Sequence, residues 1–98
     1  MNKDFPELQQ FLAGYFNQDW VDEHKNANEV IASFISEASE ETIAKVKQEL
    51  NTLILIDQTE QELQDFLFSN IGCYYYYPNE WRDGTSWLKH VYSVLSKV

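Results

Sequence analysis

Five stretches of this chain space their apolar residues every three or four positions, and four of them begin at a residue able to cap a helix. In "FPELQQFLAGYF" the stripe is Leu8, Phe11, Leu12, Tyr15 and Phe16. Pro6 sits at the first turn, and Phe5 is placed to staple the incoming chain. "NEVIASFISEA" gives Val30, Ile31, Phe34 and Ile35, with Asn28 as the expected cap. "SEETIAKVKQELNTLIL" opens on Ser39, carries Glu40 and Glu41 in its first turn, and lines up Ile43, Val46, Leu50, Leu53 and Ile54. "TEQELQDFLFSNIG" pairs Thr59 with Glu62 as a capping box, aligns Leu63, Phe66, Leu67 and Ile71, and stops at Gly72. "DGTSWLKHVYSVLSKV" turns at Asp83 and Gly84, caps at Thr85 or Ser86, and points Trp87, Leu88, Val91, Tyr92 and Leu95 inward. Each stripe must bury itself against another. The expected fold is all-α: a compact bundle of about five short helices in a single domain spanning residues 1–98.

Between the last two helices lies "CYYYYPNEW". Pro78 fixes its own φ and biases Tyr77 toward extended backbone, so the expectation is an irregular aromatic loop over residues 73–84. In an extended run, side chains alternate between faces, so Tyr74 and Tyr76 point opposite to Tyr75 and Tyr77. One small core buries one pair and leaves the other outside.

Composition narrows the function. With 44% hydrophobic and 15% aromatic residues the chain is globular rather than disordered. Only three glycines and two prolines leave little material for the turns of a many-stranded β fold. The lone Cys73 forms no internal disulfide and no metal-ligand spacing, and is expected as a small buried hydrophobe. Neither a secretory leader nor a bilayer-spanning run is visible, since the longest strictly apolar run covers residues 53–56. The expected location is the cytoplasm. Cys73 with His24 or His90 lacks the electropositive surroundings of a nucleophile, and "DWVDEH" offers one histidine among acids rather than a convergent ligand set. No phosphate loop or serine elbow occurs. The reading is a protein that is not an enzyme and uses no cofactor or metal.

Charge is the strongest compositional fact. Sixteen acids against seven bases give a net charge of −9. Between residues 29 and 65 stand nine acids and two lysines. Such a field repels nucleic acid and anionic membrane and draws cationic surfaces. Tyrosine and tryptophan serve interfaces well, because they bury a large area and keep a polar tip. The candidate binding residues are therefore Tyr75, Tyr77, Glu80, Trp81 and Asp83 in the aromatic loop, with Glu40, Glu41, Glu60 and Glu62 on the acidic helices.

The opening "FPELQQFLAGYFNQDW" resembles that of one family of contact-dependent growth inhibition (CDI) immunity proteins. There an F-P-E-L start leads through a helix to a Y-F-x-Q-D-W box, here Tyr15, Phe16, Gln18, Asp19 and Trp20. The likeness runs on through "NEVIASFISEASEETIAKVKQEL" and "GCYYYYPNEWRDGTSWLKHV" and so covers nearly the whole chain. Residues 74–83 are this chain's own. The resemblance implies an immunity protein that binds the C-terminal toxin domain of a cognate CdiA-type exoprotein one to one, in the producing cell's cytoplasm. Many such toxins are nucleases, and a ribonuclease is favoured. The box aromatics Tyr15, Phe16 and Trp20 are expected in the core. The competing reading is an acidic adaptor, or nucleic-acid mimic, that inhibits another basic nucleic-acid-binding protein.

Overall fold

A computed structural model describes residues 4–97. They form helices α1 (Pro6–Tyr15), α2 (Trp20–Glu23), α3 (Ala27–Glu37), α4 (Glu40–Leu55), α5 (Glu60–Asp65) and α6 (Gly84–Ser96). A π-helical segment (Phe66–Ile71) continues α5, and a single 3-10 turn (Tyr77–Asn79) precedes α6. No strand occurs among the described residues. Four helices carry the core. Helix α1 packs on α3 and α4, and α6 packs on the same two, so the four close a ring around one interior. The α5–π unit lies against α1 and α6. A Cα radius of gyration of 12.4 Å matches the roughly 13 Å expected of a hundred-residue domain.

The stripes meet as their spacing demands. Phe11, Phe16, Phe34, Leu50, Leu67, Leu88 and Val91 are all buried, as are Trp87 and Leu95. Within this core the rings of Phe11 and Phe34 lie 4.2 Å apart. Of the box aromatics only Phe16 is fully buried. Trp20 is half-buried and folds its ring back onto Phe16 at 5.7 Å, and Tyr15 is half-buried with its hydroxyl donating to Glu37.

Local signals hold where they are strong. Ser39 Oγ accepts from Thr42 N, Thr59 and Glu62 form the reciprocal box, and Gly72 stops its helix at φ 87°. Elsewhere the structure corrects the expectation. Asn26, not Asn28, caps α3, accepting from Glu29 N at 2.9 Å. Asp83, not Thr85 or Ser86, caps α6, accepting from Ser86 N at 2.8 Å. "NQDW" leads into the extra short helix α2. Phe66 is half-buried, with its ring edge against Phe5 at 5.4 Å, because the helix changes register there. Leu63, Leu67 and Ile71 are spaced by fours, a stripe that drifts about 40° per step in an α-helix. Widening to i→i+5 bonding straightens that stripe and keeps all three buried. Tyr77 opens a 3-10 turn instead of staying extended, because its carbonyl accepts from both Glu80 N and Trp81 N.

Candidate functional site

Gly72, in the left-handed region, sends the chain out of the π segment with Cys73 inward. Parity does the rest. Cys73, Tyr75 and Tyr77 are 4%, 4% and 0% exposed, while Tyr74 and Tyr76 are 60% and 55% exposed. The expectation that Tyr75 and Tyr77 face a partner is therefore corrected: those two belong to the core of the free protein, and the outward pair is Tyr74 and Tyr76. The signal was present in the sequence, since a buried cysteine at 73 and strict alternation together place 75 and 77 inside.

The inward pair organises its surroundings. Tyr75 lies among Phe16, Trp20 and Trp87 at 5.5, 5.6 and 5.0 Å. Tyr77 stacks on Trp87 at 5.8 Å, 7° from parallel. A buried hydroxyl requires an acceptor, and each tyrosine finds a carboxylate. Tyr75 donates to Glu80 and Tyr77 to Glu60, both at 2.5 Å. Burial first, and the neighbouring carboxylate second, push both phenols well above their usual pKa. Glu60 also accepts from Gly84 N, at 3.0 and 3.1 Å from its two oxygens. A β-carbon on Gly84 would stand 2.6 Å from Leu63 Cδ2 and 2.9 Å from the Tyr77 hydroxyl, so this close approach requires glycine.

The other candidate residues fall into separate groups. Asp83 caps α6 beside Glu60, and the hydrogen bonds from Ser86 hold its carboxyl below the usual carboxylate range. Trp81 is half-buried with its ring 4.9 Å from that of His90, whose Nε2 meets Asn28 Oδ1 at 2.8 Å. Glu62 accepts from Thr59 N at 2.8 Å and so serves its own capping box. Glu40 and Glu41 stand exposed at the start of α4. Glu41 pairs with Lys45 at 3.3 Å, and Glu40 lines a shallow cleft with Ile43, Ala44, Lys47 and Leu95. Leu95 and Asp83 lie at opposite ends of α6, about 20 Å apart. The nine residues therefore do not form one patch. Glu60, Glu62, Glu80 and Asp83 have duties inside the fold, and Glu40 and Glu41 are a distant, exposed pair.

The outward face was missed as a site. The rings of Tyr76 and Phe68 stack at 5.7 Å. With Ser69, Gly72, Cys73 and Tyr74 they line a groove of about 510 Å³. Its floor is tied down, since Cys73 N donates to Leu67 O at 3.0 Å and Tyr74 N to Phe16 O at 2.9 Å. Burial pushes the Cys73 thiol up to about 12, so no thiolate forms near neutral pH. Among the described residues no cluster of three or more His, Cys, Asp or Glu side chains is arranged to hold a metal. What the geometry offers is aromatic contact area on a chain of net charge −9.

Comparison with known proteins gives this surface a setting. No curated protein matches the chain. Among solved structures, a chain in the crystal structure of a CdiA-CT/CdiI complex from Y. kristensenii 33638 matches with a TM-score of 0.91 at 36% identity. The match covers 95% of this chain and 99% of that one. The family model described as CdiI immunity protein matches residues 4–95. With both the sequence pattern and the helical ring in agreement over almost its full length, the chain belongs to the CdiI immunity protein family.

Proposed function

We propose that the protein neutralises the C-terminal toxin domain of a cognate CdiA exoprotein by binding it one to one, in the cytoplasm of the cell that makes both. One observation carries the reading: 36% identity and near-complete structural overlap with a chain from a CdiA-CT/CdiI complex. Proteins of this family are inhibitors rather than enzymes. Nothing in the fold needs to react for such a role; it needs only a rigid surface that remains seated on the toxin. The toxin is a nuclease, with ribonuclease favoured. A phosphate-binding cleft is cationic, and a partner of net charge −9 is drawn to it.

Co-expression with the toxin domain encoded beside this chain tests the reading. Cells should survive the toxin only when this protein is present, and the two chains should elute together at equal stoichiometry. Continued killing with no shared peak would defeat it. The charge also favours a second reading, an acidic mimic acting on other basic nucleic-acid-binding proteins. Comparable affinity for unrelated basic nucleases would support the second reading, and rejection of them would support the first.

A further inference from the structure

The fold leaves one part of its surface aromatic, grooved and held in place, with no duty in the core. Tyr74 and Tyr76 are more than half exposed, although a single-residue shift in parity would have buried them. Phe68 stacks on Tyr76, and the backbone entering the run is fixed by Cys73 N donating to Leu67 O and Tyr74 N to Phe16 O. A partner would therefore meet preformed rings and lose little freedom in ordering them. Among the described residues the other large exposed apolar side chains are Val21 on α2 and the adjacent Leu55 and Ile56 at the end of α4, aliphatics with no ring among them.

The charge of the chain narrows the partner, although the groove lining itself is uncharged. From residue 58 to residue 81 the chain carries four acids, Glu60, Glu62, Asp65 and Glu80, and no lysine or arginine. The face of a tyrosine ring is itself electronegative and attracts a cation placed over it, arginine best of all because its plane can stack. We propose that the groove formed by Phe68, Tyr74 and Tyr76 is the docking surface for a basic segment of the toxin. An arginine or lysine of that segment lies across the tyrosine rings, with its aliphatic stem in the groove. This rests on the reading of the protein as a CdiA toxin inhibitor and adds the place and chemistry of the contact.

The test titrates the toxin domain encoded beside this chain against four variants of the full-length protein, Tyr74→Ala, Tyr76→Ala, Tyr76→Phe and Tyr76→Lys, with Leu55→Ala as a control. Each alanine variant should weaken binding by about tenfold or more, the loss typical of a buried interface tyrosine. Melting temperatures should stay within about 4 °C of the parent, because both side chains are surface residues. Tyr76→Phe keeps the ring face and should bind like the parent. Tyr76→Lys sets a cation against a cation and should bind at least about tenfold worse than Tyr76→Ala. Leu55→Ala should change nothing. If the parent protein ignores the toxin, both the function and this surface fall. If the parent binds and the tyrosine variants bind equally well, only the surface is wrong. Tyr76→Lys binding better than Tyr76→Ala would refute the cationic occupant. Dimerisation of the free protein that Tyr76→Ala abolishes would assign the groove to a second copy and likewise overturn the proposal.

Discussion

Three side chains of the aromatic run, Cys73, Tyr75 and Tyr77, can each lose a proton, and each is buried in its neutral form. Burial raises the thiol from its usual 9.0 to about 12 and raises both phenols above 10.0. When the folded-state pKa lies above the unfolded one, the unfolded chain gives up its proton first. The stabilisation is then complete below about pH 9 and is lost as pH rises toward the folded values. The urea midpoint should hold level from pH 7 to about 8.5 and fall steadily beyond, with Cys73→Ala flattening the first part of the decline. A midpoint unchanged at pH 11 would contradict the buried, neutral state of all three. At this scale legibility was uneven. The burial of Cys73 was readable from its lone, uncharged setting. That Glu60 is the acceptor for a buried phenol was not, because Glu60 and Tyr77 stand 17 positions apart and meet only after the chain has folded.

Helix ends show the same divide between local and distant causes. Ser39, the Thr59–Glu62 box and Gly72 act through backbone groups within a few residues of themselves, and the sequence displays them plainly. Where two polar residues competed, as Asn26 with Asn28 or Asp83 with Thr85, tertiary partners decided. His90 engages Asn28, and Glu60 holds Gly84 N just after Asp83. The π segment was illegible for a related reason, since its register follows from burying Leu63, Leu67 and Ile71 together. Helix α1 is the clearest case of a cap supplied from elsewhere. The ring of Phe5, at its N-cap, carries no hydrogen-bond acceptor, and Glu49 of α4 accepts from Leu8 N at 2.9 Å and Glu7 N at 3.4 Å. A carboxylate there satisfies free amide groups and suits the positive end of the helix dipole. Glu49→Ala should cost about 1–2 kcal/mol, lowering the melting temperature by about 4 °C or more, and Glu49→Gln should cost less because it retains an acceptor. Equal melting of Glu49→Ala and the parent would remove this bridge between α1 and α4.

The molecule as a whole is a neutral core wrapped in negative charge, and both halves of that description were visible in the sequence: the stripes as periodicity, the charge by counting. What counting could not supply is which acids are available to act at long range. The side chains of Glu60 and Glu62 are engaged in the fold, so reversing them would disturb the Tyr77 contact and the α5 cap together. Glu40 and Glu41 are exposed and tie down no other element, which makes them the proper pair for testing electrostatic steering. A charge of −9 should speed capture of the basic toxin proposed above most at low ionic strength, where the field reaches beyond the roughly 8 Å allowed at physiological salt. Reversing both glutamates to lysine should lower the on-rate several-fold in dilute buffer while hardly altering the off-rate. The difference should close as salt approaches about 1 M, where the Debye length is near 3 Å. Both acids also favour the N-terminus of α4, so a melt must accompany the kinetics to show that helix-dipole losses, about 0.3–1 kcal/mol each, leave the protein folded. An on-rate indifferent to salt in the parent protein would mean that the negative surface serves solubility alone, and that capture depends on the aromatic face.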